Sequence, residues 1–200
     1  MVFFTMKKLI YLSGLLFCAT LALADTHYVS LDGTNNSPYL SWPDAATNIQ
    51  WAVTAATAGD TVLVSNGTYV LTNEITISSA LTVASVNGKE VTIVDGNYPN
   101  YTNRCFKITA AATLSGFTVT NGYGNTNGGG IFMSAANSWV KDCLITGNRT
   151  YDTNSRLSGG GGVFIRTYGT LTNCNIIGNR SDNNAVGWAE CGGGGVMLDN

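Results

Sequence analysis

Charged side chains are scarce in this sequence: Asp, Glu, Lys and Arg make up 11% of its 200 residues. Helix surfaces are built largely from such residues, whereas Thr, Asn, Ser and Gly, which are abundant here, favour strands and tight turns. An all-α fold is therefore excluded for most of the chain. No helical stretch long enough to serve as a crossover separates the apolar runs, which excludes an ordinary α/β sheet. Histidine is limited to His27, and neither a Cys-x-x-Cys pair nor a pair of histidines occurs, so no zinc site and no other metal is expected. The glycine clusters are not followed by Lys-Ser or Lys-Thr, which excludes phosphate loops, and no cofactor is expected. Clustered carboxylates, the requirement for glycan hydrolysis or for holding calcium in lyase chemistry, are missing as well. Asp95, Asp152, Asp182 and Glu190 are scattered through turns and loops, and the counterpart of Asp142 one repeat on is Asn173. No catalytic residue is assigned, and whether the chain is an enzyme stays open.

What the chain has in quantity is glycine, 24 residues of it, arranged in a repeat. Residues 140–150 (VKDCLITGNRT) align without a gap on residues 171–181 (LTNCNIIGNRS), 31 positions later. Glycine clusters at 128–130, 159–162 and 192–195, each followed by apolar residues, recur at 31 to 33 positions. Leu114-Ser-Gly-Phe117-Thr-Val-Thr-Asn121 is an earlier copy, one residue shorter, with Phe117 where Cys143 and Cys174 stand. A sandwich of hairpins would explain the short strands but not the recurrence. Short β-type runs repeating at this length predict an all-β fold, a right-handed parallel β-helix solenoid whose coils cover one another. Like then lies on like: Ile145 by Ile176, and Asn148 by Asn179 in a hydrogen-bonded amide ladder.

The predicted organisation has three parts. Residues 1–24 read as a signal peptide: Lys7-Lys8, the apolar run Leu9 to Leu23 and a small-x-small ending at Ala22-Leu-Ala24. A membrane-spanning helix is a competing reading, but the run is short and a cleavage pattern closes it. Cys18 loosely resembles a lipoprotein processing site, with Phe17 where that site needs a small residue. Residues 25–60 hold an opening strand, Tyr28-Val-Ser-Leu31, and a short N-terminal capping helix that starts at Ser41-Trp-Pro-Asp44 and stops at Gly59-Asp60. Residues 61–200 are β-helix coils, with strands expected at 61–64, 74–77, 81–85, 91–94, 105–108 and 114–120. The last coil has no partner of its own, so the solenoid is expected to continue beyond residue 200.

The stretch from Ile49-Gln-Trp-Ala-Val53 through residues 58–69 (AGDTVLVSNGTY) resembles the start of pectin-lyase-like right-handed parallel β-helix proteins. The Gly-Gly-Gly-Ile131 and Gly-Gly-Gly-Val163 units, alternating with Ile-Thr-Gly-Asn148 and Ile-Ile-Gly-Asn179, are similar to polymorphic outer membrane protein repeats. One departure is Ile145 or Ile176 where those repeats carry an aromatic. The resemblance implies the fold; lyases, hydrolases, epimerases, adhesins and autotransporter passengers share it.

Function is expected outside the cell. Losing Lys7 and Lys8 with the leader reduces ten basic residues to eight against twelve acidic ones, so nucleic acid is not an expected partner. No membrane span is expected after leader removal. Insertions at 149–158 and 180–191 project from one side of a solenoid, and Tyr151, Arg156, Tyr168 and Trp188 form a candidate ligand-facing patch for stacking on sugar rings and holding acidic groups. The expected function is a secreted or cell-surface scaffold for binding or adhesion, toward extracellular polysaccharide or a cell-surface ligand. The alternative is a polysaccharide lyase or glycoside hydrolase whose catalytic coils lie outside this segment. Cys143 and Cys174 are read as an inward-facing thiol stack rather than a disulfide, and spacing leaves Cys105 and Cys191 open.

Overall fold

The computed structural model describes residues 23–152, 157–183, 190–191 and 193–199. The expected leader, apart from Leu23 and Ala24, and the middles of both insertions lie outside them. The opening strand β1 (Thr26–Val29) precedes α1 (Ile49–Ala55), and five coils follow. The first holds β2 (Thr61–Val64), β3 (Gly67–Val70) and β4 (Ile75–Ile77); the second holds β5 (Thr82–Ser85), β6 (Thr92–Asp95) and β7 (Phe106–Ile108). The third holds β8 (Thr113–Ser115), β9 (Thr118–Thr120), β10 (Tyr123–Gly124) and β11 (Ile131–Met133). The fourth runs through β12 (Trp139–Lys141), β13 (Leu144–Thr146), β14 (Arg149–Asp152), β15 (Leu157–Ser158) and β16 (Val163–Ile165). The fifth repeats that plan in β17 (Thr170–Thr172), β18 (Asn175–Ile177), β19 (Arg180–Asn183), β20 (Glu190–Cys191) and β21 (Val196–Leu198).

Strands of equal rank pair side by side. One face is β1-β2-β5-β8-β12-β17, the second β3-β6-β9-β13-β18 and the third β4-β7-β11-β16-β21. Pairing is parallel on all three faces, with residue registers that reproduce the repeat. The chain is thus a parallel β-helix, as the recurrence predicts. Alternation does the rest: every second side chain of each strand points inward. Val62, Val83, Leu114 and Val140 form one fully buried column. Tyr69, Val94, Val119 and Ile145 form another, and Ile75, Phe106, Ile131 and Val163 a third. Each such aliphatic or aromatic side chain contributes about 1.5–3 kcal/mol of burial.

Asn148 and Asn179 stack as expected. The Asn148 side-chain amide donates to the Asn179 side-chain oxygen at 3.0 Å, and also to the Val119 carbonyl at 2.9 Å. Asn173 donates to the Asp142 carboxylate at 2.6 Å. Phe117, Cys143 and Cys174 share one register position, one residue before the paired Thr118, Leu144 and Asn175. The glycine clusters exist because this part of each coil runs against the backbone of β10, β14 and β19. A Cβ on Gly129 would stand 2.2 Å from the Arg149 carbonyl oxygen, and one on Gly161 2.1 Å from that of Arg180.

Two sequence expectations are corrected. The helix starts at Ile49, with Asn48 rather than Ser41 as N-cap; the Asn48 side chain accepts from the Gln50 N–H at 2.8 Å. The hydroxyl of Ser41 donates instead to Asp44 at 2.7 Å inside a turn, because Ala46 is held to β1 through Tyr28 and Ser30. The helix is short and packs on β1, β2 and β4 through Ile49, Ala52 and Val53, and Gln50 reaches the free edge of β4: its side-chain oxygen accepts from Thr76 N at 2.6 Å. The run 114–120 is two strands, bent at Gly116, whose φ is +80°.

Candidate functional site

The route from the second face to the third lengthens along the chain, from residues 71–74 in the first coil, through 96–105 and 121–130, which are equal in length, to 147–162 and 178–195 in the fourth and fifth. These connections stack into one corner, where β10, β14 and β19 form an added parallel sheet with Tyr123, Arg149 and Arg180 in register. Tyr98, on the second coil's connection, is placed there by its N–H, which donates to the Asn121 carbonyl at 3.1 Å. Its ring stacks on Tyr123 with centroids 4.7 Å apart and planes 9° from parallel. Arg149 extends the column, donating from Nη1 to the Tyr98 hydroxyl at 3.3 Å. Asp182 lies between Arg149 and Arg180 and pairs with both. Partial burial works against the Arg149 charge, but the hydrogen bond and charge of Asp182 outweigh it and raise its pKa. Burial pushes the Tyr123 phenol up, with the Tyr98 phenol adding to the shift.

Tyr123 also lines a cleft of about 280 Å³, with Glu74, Thr102, Asn103, Arg104 and Asn125 among its other walls. Glu74 pairs with Arg104 at 3.4 Å and with Lys107 at 3.9 Å. Burial lowers the Arg104 pKa, against the pull of Glu74, yet a guanidinium stays charged in any protein site. Arg104 also stands 5.0 Å above the ring of Phe132, which stacks on Phe164 at 5.5 Å. The Tyr123 N–H donates to the Asn103 carbonyl at 2.9 Å, so the cleft wall and the aromatic column are tied directly. Each carboxylate thus serves two cations, and each cluster keeps one positive charge in excess. Amides, hydroxyls, an aromatic wall and surplus cations can bind a polar, anionic, ring-containing ligand.

Of the patch expected from sequence, Tyr151 belongs to this corner: it lies on β14 opposite Asp182, two residues from Arg149 and so on the same side of the strand. Tyr168 does not join it along the chain. It is 81% exposed in the turn after β16, at that strand's other end, with its carbonyl accepting from Asn137 N at 3.1 Å. Arg156 and Trp188 lie outside the described residues. Tyr98, Tyr123, Arg104, Glu74 and Lys107 were not singled out in the sequence. Extending the argument of equivalent insertions to coils two and three would have found the two tyrosines.

No family model matches the chain. A search of curated proteins found no match. A solved structure described as a rhamnogalacturonan lyase is similar, at 14% identity and a TM-score of 0.44; the match covers 88% of this chain and 54% of that one. The chain therefore spans about half the length of that structure.

Proposed function

We propose that this chain is an exported β-helix that binds acidic polysaccharide along the corner between its second and third faces. The observation that carries the reading is the Tyr98–Tyr123 stack, flanked by two ion clusters that each retain a positive charge. Tyrosine combines a flat apolar surface for sugar rings with a hydroxyl for hydrogen bonding. Asn103 and Asn125 offer amides for sugar hydroxyls, and the surplus guanidinium and ammonium groups match carboxylates. Export rests on Lys7-Lys8 and the apolar run that follows. Attachment to a cell surface through such a glycan is the use that fits a scaffold.

The test is binding of the purified chain to a polyuronate and to a neutral glucan, by calorimetry or affinity electrophoresis, with products assayed in the same mixtures. The expected result is binding to the polyuronate, weakened about tenfold by Arg104→Ala or Tyr123→Ala, since a charge-assisted hydrogen bond contributes roughly 1.5–3 kcal/mol. Equal binding by wild type and both variants, or none to any acidic glycan, removes the proposal. New unsaturated or reducing ends would replace a binding role with a catalytic one.

A further inference from the structure

Cys143 and Cys174 occupy one register position on coils four and five, directly before the paired residues Leu144 and Asn175. The Asn175 N–H donates to the Cys143 carbonyl at 2.9 Å, which locks that stacking. Each cysteine follows a residue in the left-handed region, Asp142 at φ 57° and Asn173 at φ 51°. The matching bends turn both side chains toward the core, where Cys143 is fully buried and Cys174 half-buried. The Cys143 thiol lies 3.2 Å from the Lys141 carbonyl oxygen, and the Cys174 thiol 3.5 Å from that of Val140 and 3.3 Å from that of Thr172, so both sulfurs face β12 and its neighbour β17. Neighbouring rungs of a parallel sheet lie about 4.8 Å apart, inside the Cα separation of about 4.4–6.8 Å that a disulfide spans. Both are free thiols.

We propose that Cys143 and Cys174 form a reactive dithiol that exchanges with small-molecule disulfides and closes into a covalent staple between coils four and five. Cys174 attacks first, as thiolate, on one sulfur of the disulfide; that S–S bond breaks and one thiolate leaves. Cys143 then attacks the Cys174 sulfur of the mixed disulfide, expelling the second small thiol, which takes up the Cys143 proton. Two protein thiols are oxidised by two electrons and the reagent is reduced to two thiols. The order follows from the environment: Cys174 is half-buried and its Cys143 neighbour holds its pKa below the ordinary thiol value, whereas Cys143 is fully buried and its Cys174 neighbour, with burial, pushes it up. Cys105 supplies an internal reference, since it is fully buried and burial pushes its thiol far up.

The experiment incubates the reduced full chain with glutathione disulfide near neutral pH and maps the cysteine peptides by mass spectrometry. A Cys143–Cys174 cross-linked peptide is expected, with Cys105 left as a thiol. Iodoacetamide should label Cys174 roughly ten times faster than Cys105, because the thiolate is the nucleophile. Its rate should rise with pH as the thiolate forms. Cys143→Ser should stop the reaction at a lasting glutathione adduct on Cys174, and Cys174→Ser should leave Cys143 unmodified. If Cys143→Ser does not fold, the wild-type map and the labelling order decide. A free Cys174, a bond from Cys174 to any cysteine other than Cys143, or labelling no faster than at Cys105 overturns the proposal.

Discussion

Asn148 carries more hydrogen bonds than any apolar replacement could leave unmade without cost. Its side-chain oxygen accepts from Gly122 N at 2.9 Å while its amide donates to Val119, Thr146 and Asn179. It is almost fully buried. Asn148→Ala strands a buried N–H and a buried carbonyl, at about 1–3 kcal/mol for each unsatisfied group, so urea unfolding should show a loss of about 3 kcal/mol. Gly129→Ala should also destabilise, by about 1–3 kcal/mol in the same assay, because its Cβ would meet the backbone of a neighbouring strand. Gly59 is a contrast: it has open space around it and φ +96°, so Gly59→Ala costs only conformational strain, about 1–2 kcal/mol. Gly59 was marked in the sequence only as the stop of the helix, whereas Asn148 and Gly129 were legible because stacking puts identical residues on one another. Tyr123 was hidden for the same reason: its neighbours along the column are Arg149 and Arg180, so no repeat of type marked it.

Elements follow the sequence where local and long-range demands agree. Strands β2, β4, β5, β6 and β7 lie close to the runs expected at 61–64, 74–77, 81–85, 91–94 and 105–108, and Gly116 divides the run 114–120 because a positive φ breaks a ladder. The helix start was misplaced because Ser41 and Asp44 have capping chemistry but spend it on each other, while the backbone of Ala46 is bound to β1. Asp60, which follows the helix, fastens the opening strand: it accepts from Thr57 N at 2.6 Å and from Asp25 N at 2.9 Å, and it faces His27 at 3.3 Å. Those backbone donors, Thr57 first and Asp25 next, hold its pKa well below the ordinary carboxylate value. A depressed folded pKa contributes stability above the unfolded value of 3.8, and that stability drains away as pH falls toward the folded value. Asp60→Asn should therefore be less stable than wild type at neutral pH and should lose less stability between pH 4 and pH 2, as thermal melts at each pH would show. At the β4 edge, Gln50→Ala should cost about 1 kcal/mol and speed hydrogen exchange at Thr76, whose N–H it releases.

Taken as a whole, the molecule carries a formal charge of −2, yet the corner between its second and third faces gathers four described cations, Arg104, Lys107, Arg149 and Arg180, around two shared carboxylates. A solenoid makes this possible, since connections at one place in successive coils stand side by side whatever their sequences. Net charge would predict repulsion of an acidic glycan, and local charge predicts attraction; salt separates the two. Arg104, Arg149 and Lys107 are only partly buried, and screening shortens from about 30 Å at 0.01 M to about 3 Å at 1 M ionic strength. If the corner is the binding site, raising ionic strength should weaken polyuronate binding by about tenfold or more and leave any binding of a neutral glucan unchanged. Glu74→Gln should strengthen polyuronate binding at low salt, because it removes the carboxylate that partly neutralises Arg104 and Lys107. Affinity that rises with salt, or falls on Glu74→Gln in a folded protein, would show that the overall negative charge governs the encounter and that the corner does not hold the glycan.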